Sequence, residues 1–402
     1  MKKKCIIKNK IIIFILGLVL TLAFFPGNRV YAYEINNLAV SEEKIEDDEI
    51  NNKLDSLYNY INNMKLDIEI LNDLDPVQYI KSYVENGEGN ISFKTIINSI
   101  IAFLFKEVKT SLTLCISIIA IAIICSLIKN LQSAFSNDSI SNIAFFACYC
   151  ILIILLSKSF IVSINIAIDL INKLADFMAA LLPVLVMMIG TIGGFAQAAT
   201  LDPIVLVMTI LIPRIYKTII IPLILISFVL QFVNNISTEY KISNLCKLTK
   251  QVTVWIQGII LVTYIGFLAV RGITSSTIDA VTLKTTKFAV DNFIPIVGKA
   301  FSDAIASVAG YALIIKNAVS AFGLLVIILM MLYPVIKLVL ISLIYKLSAS
   351  VIEPITDKRI TSSIVAVSDS ITLLISCVLS VSLMFFVIIG IIASAGKFVV
   401  GG

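Results

Sequence analysis

"SITLLISCVLSVSLMFFVIIGIIASAG", residues 370–396, is twenty-seven residues without a charge. About 20 apolar residues make a helix long enough to cross the hydrocarbon core of a bilayer. An open strand at that depth would leave its N–H and C=O groups unpaired, because lipid offers no hydrogen bonds. The stretch does not alternate between apolar and polar residues, and the aromatics of the chain are scattered, so a barrel does not fit. The stretch therefore reads as a transmembrane helix. Six further uncharged runs resemble it, at 110–128, 139–157, 177–201, 218–238, 251–270 and 317–336. The expected fold is all-α: a polytopic helical membrane protein with about seven transmembrane helices plus amphipathic helices, behind an N-terminal signal peptide.

Composition agrees with this reading. The chain has 402 residues, a mean hydropathy of +1.01 and only 14% charged residues. A soluble domain carries about 25%. Of the seven cysteines, Cys115, Cys125, Cys148, Cys150 and Cys377 lie in or beside apolar runs, Cys5 lies in the signal and Cys246 reads as a loop residue. That pattern is not a secreted disulfide framework, and these side chains read as small apolar packers.

The first 32 residues have the order of a targeting segment. "MKKKCIIKNK" is the positive end, "IIIFILGLVLTLAFF" the apolar core, and Val30–Ala32 offers a cleavage site after Ala32. An uncleaved anchor is the alternative. Residues 33–90 then carry fourteen Asp/Glu against four Lys, a net charge of −10. An acidic segment behind a signal belongs on the extracytoplasmic side. Within it Leu54, Leu57, Tyr58, Ile61, Met64, Ile68 and Leu71 follow helical spacing. Leu54, Leu57, Ile61 and Ile68 are the candidate partner-binding stripe, with internal packing as the alternative. Pro76 opens a second short helix that ends near "NGEGN", and "ISFKTIINSIIAFLFKEVK", 91–109, is amphipathic and suits the membrane surface. The expected organisation is a signal peptide at 1–32, an acidic extracytoplasmic helical segment with its membrane-surface helix at 33–108, and a polytopic domain at 109–402.

Charge does not orient the spans. With 33–90 outside, the inner and outer loops each hold nine Lys/Arg, so the positive-inside rule gives a tie. "GTIGGFAQAATLDP", 190–203, reads either as a span ending in a Gly-rich turn or as the start of a broken, re-entrant pair of helices through 213.

The sequence points away from chemistry. Without histidine, Ser–His and Cys–His pairs and HExxH zinc sites are excluded. Neither GxxxxGK[ST] nor GxGxxG occurs, and no basic patch interleaved with aromatics supports nucleic-acid binding. Asp169, Asp202, Asp279, Asp303 and Asp369 sit at run edges without a recognisable motif. The expectation is a protein with no catalytic, cofactor-binding or metal-binding residues and no cofactor.

Residues 272–316 form an amphipathic segment. Read as a helix, 299–310 places Ser302, Ala306 and Gly310 four apart, a spacing that lets a second helix approach closely. Phe301, Ile305, Val308 and Ala312 make a larger apolar face, and Lys299/Asp303 and Lys287/Asp291 are i,i+4 pairs. Lys299, Ser302, Asp303, Ala306 and Gly310 are the candidate helix-packing or channel interface. A surface helix with snorkelling lysines is the alternative.

The same region carries a resemblance. "DAVTLKTTKFAVDNFIPIVGKAFSDA", within 272–323, is similar to the signature of the stage III sporulation protein AE family. "LIYKLSASVIEPITD", 343–357, and "VSLMFFVIIGIIASAG", 381–396, resemble its C-terminal part. "LLPVLVMMIGTIGGFAQAATLDPI", 181–204, resembles its central segment, with Asp202 where the family usually has His before the Pro. The resemblance implies a non-enzymatic membrane component of the secretion-like channel, or feeding tube, between mother cell and forespore. It implies a multi-pass location in the mother-cell membrane around the forespore. It also implies partners: other stage III sporulation A-operon proteins, including ring-forming components and a separate ATPase, and a forespore-side channel partner. A secondary transporter or permease of unknown substrate is the competing reading.

Overall fold

The computed structural model describes residues 76–87, 93–132, 138–192, 194–236, 242–293 and 298–395. Among them every regular element is helical. Helix α1, Pro76–Asn86, begins at the expected proline and stops at Gly87, whose φ of 74° favours glycine. Its Tyr79 is buried on Phe322, with ring centroids 5.3 Å apart. Burial, with Tyr83 beside it, pushes the Tyr79 phenol above its ordinary pKa.

Helix α2, Phe93–Gln132, joins the amphipathic segment 91–109 and the first apolar run in one 40-residue helix. A separate surface helix is not formed, because no Gly or Pro separates the two. Helix α3, Asp138–Thr191, likewise takes up both run 139–157 and most of run 177–201. Six helices among the described residues are long and apolar enough to cross a membrane, where seven runs were expected. The intervening 158–176 contains no Gly or Pro. Its Asp169 and Lys173 make a 3.2 Å i,i+4 ion pair in the favourable order. Charge marks where an apolar run ends; it does not stop a helix. At 54 residues α3 is about 80 Å long, so part of it stands outside a hydrocarbon core of about 30 Å.

The Gly-rich stretch resolves as a turn. Gly194 N–H donates to Ile189 C=O at 3.0 Å, and α4, Phe195–Ile215, starts beyond it. A π-helical turn, Tyr216–Ile220, carries α4 into α5, Ile221–Ile236. Residues 203–213 are therefore continuous with the π turn and α5 in one helical stretch that runs to Ile236. Helix α6, Ser243–Phe293, α7, Gly298–Ile352, and α8, Lys358–Ser394, complete the chain. Cys246 lies in the first turn of α6, where its thiol donates to Leu230 C=O at 3.3 Å. The six described cysteines are free thiols.

Helix α8 runs through the middle of the bundle. It packs on α3, α4, α5, α6 and α7. Of its most apolar membrane-length stretch 56% is buried, against 33% or less in the other five spans. The outer faces of the neighbours stay apolar, as at Ile116, Ile154, Ile210, Ile259 and Val262. Exposed apolar residues on a membrane-length helix suit contact with lipid.

Helix α7 packs tightly on α3 at Gly323. A Cβ there would lie 2.6 Å from Leu181 Cδ2 and 3.4 Å from Ile389 Cδ1. Leu181 and Ile389 are fully buried, so they must shift within the core to admit a larger side chain. Gly323→Leu is expected to lower stability by about 1–3 kcal/mol through overpacking. Adding Leu181→Ala should recover part of the loss. Thermal unfolding in detergent checks both, and an unchanged midpoint for Gly323→Leu alone would remove this contact from the account.

Candidate functional site

The polar groups of the bundle collect on α8 and on the residues that face it. The helix starts cleanly because Pro354 cannot continue α7 and Asp357 caps the next turn. Asp357 accepts from Arg359 N–H at 2.8 Å, and the Arg359 guanidinium returns to the same carboxylate at 3.3 Å. Thr356 N–H and its hydroxyl both donate to Ile352 C=O at 2.9 Å, closing the hairpin between α7 and α8.

Toward α7, serines replace bulk. Ser342 and Ser368 hydroxyls lie 2.8 Å apart, Ser368 also donates to Ser342 C=O at 2.8 Å, and Thr372 reaches Ser342 at 3.3 Å. Small hydroxyl residues let two backbones approach and bond across the gap. On the opposite side of α8, Ser363, Asp369, Ser370, Ser376 and Ser380 turn toward the helices before α7. Ser363 meets Tyr149 OH at 2.6 Å and Asn235 Nδ2 at 3.2 Å. Asp369 pairs with Lys250 at 2.8 Å, both about one-third exposed. Gln231 donates to Ser370 at 3.4 Å, and Ser376 donates to Gln257 Oε1 at 2.9 Å.

The far end of α8 is held by a lysine. Lys316 on α7 is fully buried, and its ammonium donates to Ala393 C=O at 3.1 Å and to Ala395 C=O. A cation at a helix C-terminus meets the negative end of the dipole and bonds the last free carbonyls. A second charged contact ties α2 to α7. Glu107, buried, accepts from Lys337 at 2.9 Å, and Lys337 stands 6.0 Å above the Tyr333 ring. Phe103 packs on that ring at 4.0 Å. Lys217, on the π turn, donates to Asn172 of α3 at 2.7 Å. Apart from the α8 cap, the Thr356 turn and the Lys337–Tyr333 contact within α7, these contacts join different helical segments. Among the described residues no three His, Cys, Asp or Glu side chains come together.

The sequence-derived candidates fall elsewhere. Leu54, Leu57, Ile61 and Ile68 lie outside the described residues. Lys299, Ser302, Asp303 and Ala306 have helical backbone in α7, but their side chains lie outside the described residues. Gly310 is half-buried. Beside it Ala309 is the buried residue, while Val308 and Tyr311 are exposed. Lys316 and the Glu107–Lys337 pair went unnoticed because both lysines border the run 317–336, where a charge reads as a span end. The one available signal was that Lys316 separates two apolar stretches of α7 without a break.

Residues 74–396 match the sequence profile of the stage III sporulation protein AE family. The chain is also 31% identical over 312 residues to the stage III sporulation protein AE of Bacillus subtilis (strain 168), covering 78% of each chain. The chain belongs to the stage III sporulation protein AE family. No solved structure matches it. For this member of the family the match covers α1 to α8, and the buried contacts on α8 lie within it.

Lys337→Met would leave the Glu107 carboxylate buried without its partner. The expected loss of stability is about 1–3 kcal/mol, larger than for Glu107→Gln combined with Lys337→Met, which removes both charges. Thermal unfolding of the three proteins checks the order. Equal midpoints for the single and double variants would show that the pair is solvated and structurally idle.

Proposed function

We propose that the chain is a non-enzymatic membrane component of the channel complex between mother cell and forespore, needed for endospore development. The observation that carries this reading is the family match across the entire helical body. Six membrane-length helices fixed by buried contacts support a role as a platform. In this reading the protein is multi-pass in the mother-cell membrane around the forespore, and its N-terminal signal is cleaved after Ala32. The acidic residues 33–90 lie on the extracytoplasmic side and meet ring-forming partners from the same operon through Leu54, Leu57, Ile61 and Ile68. A separate ATPase supplies energy. The segment with Lys299, Ser302, Asp303, Ala306 and Gly310 packs against a neighbouring helix of the complex, its small residues allowing close approach.

Deletion of the gene in its native host is expected to abolish most heat-resistant spores, and the wild-type gene in trans to restore them. Ala306→Leu and Gly310→Leu should insert in the membrane at normal level yet fail to co-purify partners and fail to restore spores. Normal spore counts in the deletion strain would overturn the reading. Full rescue by both leucine variants would remove only the proposed interface.

A further inference from the structure

The α8 face from Asp369 to Ser380 is polar along its length, and the helices opposite it carry polar atoms that lack partners. Asp369, Ser370, Ser376 and Ser380 fall within one side of the helix at 100° per residue. Facing them, Gln257 on α6 is 5% exposed; its Oε1 accepts from Ser376, and its Nε2 has no partner. Tyr216, in the π turn, is fully buried. Its hydroxyl lies beside Ser380 and Cys377 but makes no well-formed hydrogen bond. Ser227 on α5 is fully buried with an unpartnered hydroxyl, and the next turn of that helix holds Gln231, which bonds Ser370. The unpartnered atoms thus come from three consecutive segments of chain: Gln257 and Tyr216 stand against α8, and Ser227 is one turn from Gln231, which bonds it.

Unpaired polar atoms are costly in a protein interior and more so in a bundle surrounded by lipid. Side chains so placed are ordinarily completed by buried water, which needs a polar site with two or more partners. The track offers such partners: a hydroxyl and an amide N–H at Ser376 and Gln257, and two hydroxyls at Ser380 and Tyr216. It also has an entrance. Lys250 and Asp369 are each about one-third exposed and stand at one end of the face. From Asp369 to Ser380 is eleven residues, or about 16 Å along the helix.

We propose that this face of α8 holds a file of ordered water, entered beside Lys250 and Asp369 and ending at Tyr216. The water completes the hydrogen bonds of Gln257, Ser227 and Tyr216. It gives water, and with it protons, access to the centre of the bundle. This does not depend on the sporulation reading, since it concerns the bundle alone.

Hydroxyl-radical footprinting by X-ray radiolysis tests it, because radicals form from water next to the labelled side chain. The full chain is reconstituted in nanodiscs and labelling is read by mass spectrometry. Tyr216 is compared with Phe177, equally buried and carrying no polar atom, after correction for intrinsic reactivity. Tyr216 is expected to label several times faster than Phe177. In Gln257→Leu/Ser380→Ala, checked for helix content and monodispersity, Tyr216 should fall to the Phe177 rate while Tyr149, bonded to Ser363 above the track, keeps its own. Equal labelling of Tyr216 and Phe177 in the wild-type protein would overturn the proposal, whatever the variant does. So would a folded double variant in which Tyr216 labels as before.

Discussion

Lipid cannot hydrogen-bond, and the whole structure answers to that constraint. It forces the backbone into helices, which satisfy their own N–H and C=O groups. It also favours a partner for each polar side chain inside the bundle, on its own helix, on a neighbouring helix or in buried water. Helix α8 feels this most, since it is surrounded by five other helices and carries serines on two sides. Its position holds because Ser342, Tyr149, Asn235, Gln231, Gln257, Lys250 and Lys316 each reach it from a neighbour. Apolar packing alone gives little preference for one helix register over another within a membrane. Contacts of this type supply one.

Both ends of α8 show the same logic. At its start a carboxylate, Asp357, meets the free N–H groups of the first turn. At its end an ammonium, Lys316, meets the last carbonyls. These are the signs the helix dipole favours. The second is unusual because the cation is fully buried and comes from another helix. It fixes the N-terminal half of α7 to the last turn of the central helix.

Much of the fold was legible because the hydrocarbon core excludes charge so strongly. Among the described residues the apolar runs are helical except where a turn before Phe195 interrupts 177–201, and Pro76 opens the helix it announced. The number of separate helices was not legible. Lys158, Asp169, Lys173 and Asp176 end an apolar run without ending a helix, since none of them breaks an i→i−4 ladder. The amphipathic 91–109 merges into α2 for the same reason. The candidate site was less legible. Ser368 and Ser376 look like ordinary small residues in an apolar run, and only their partners, 26 and 119 positions away, give them a role. Lys316 reads as a span boundary until α8 is seen to end on it.

The central claim is that α8 is the element on which the others are assembled. Hydrogen exchange of the reconstituted protein, resolved by peptide, tests this most directly, because amides in the most cooperative part of a structure open last. Peptides covering 371–389 are expected to exchange more slowly than those covering 100–128 of α2 and 254–270 of α6, which belong to membrane-length helices that are much less buried. Exchange of 371–389 at the same rate as those two, or ahead of them, would contradict the account.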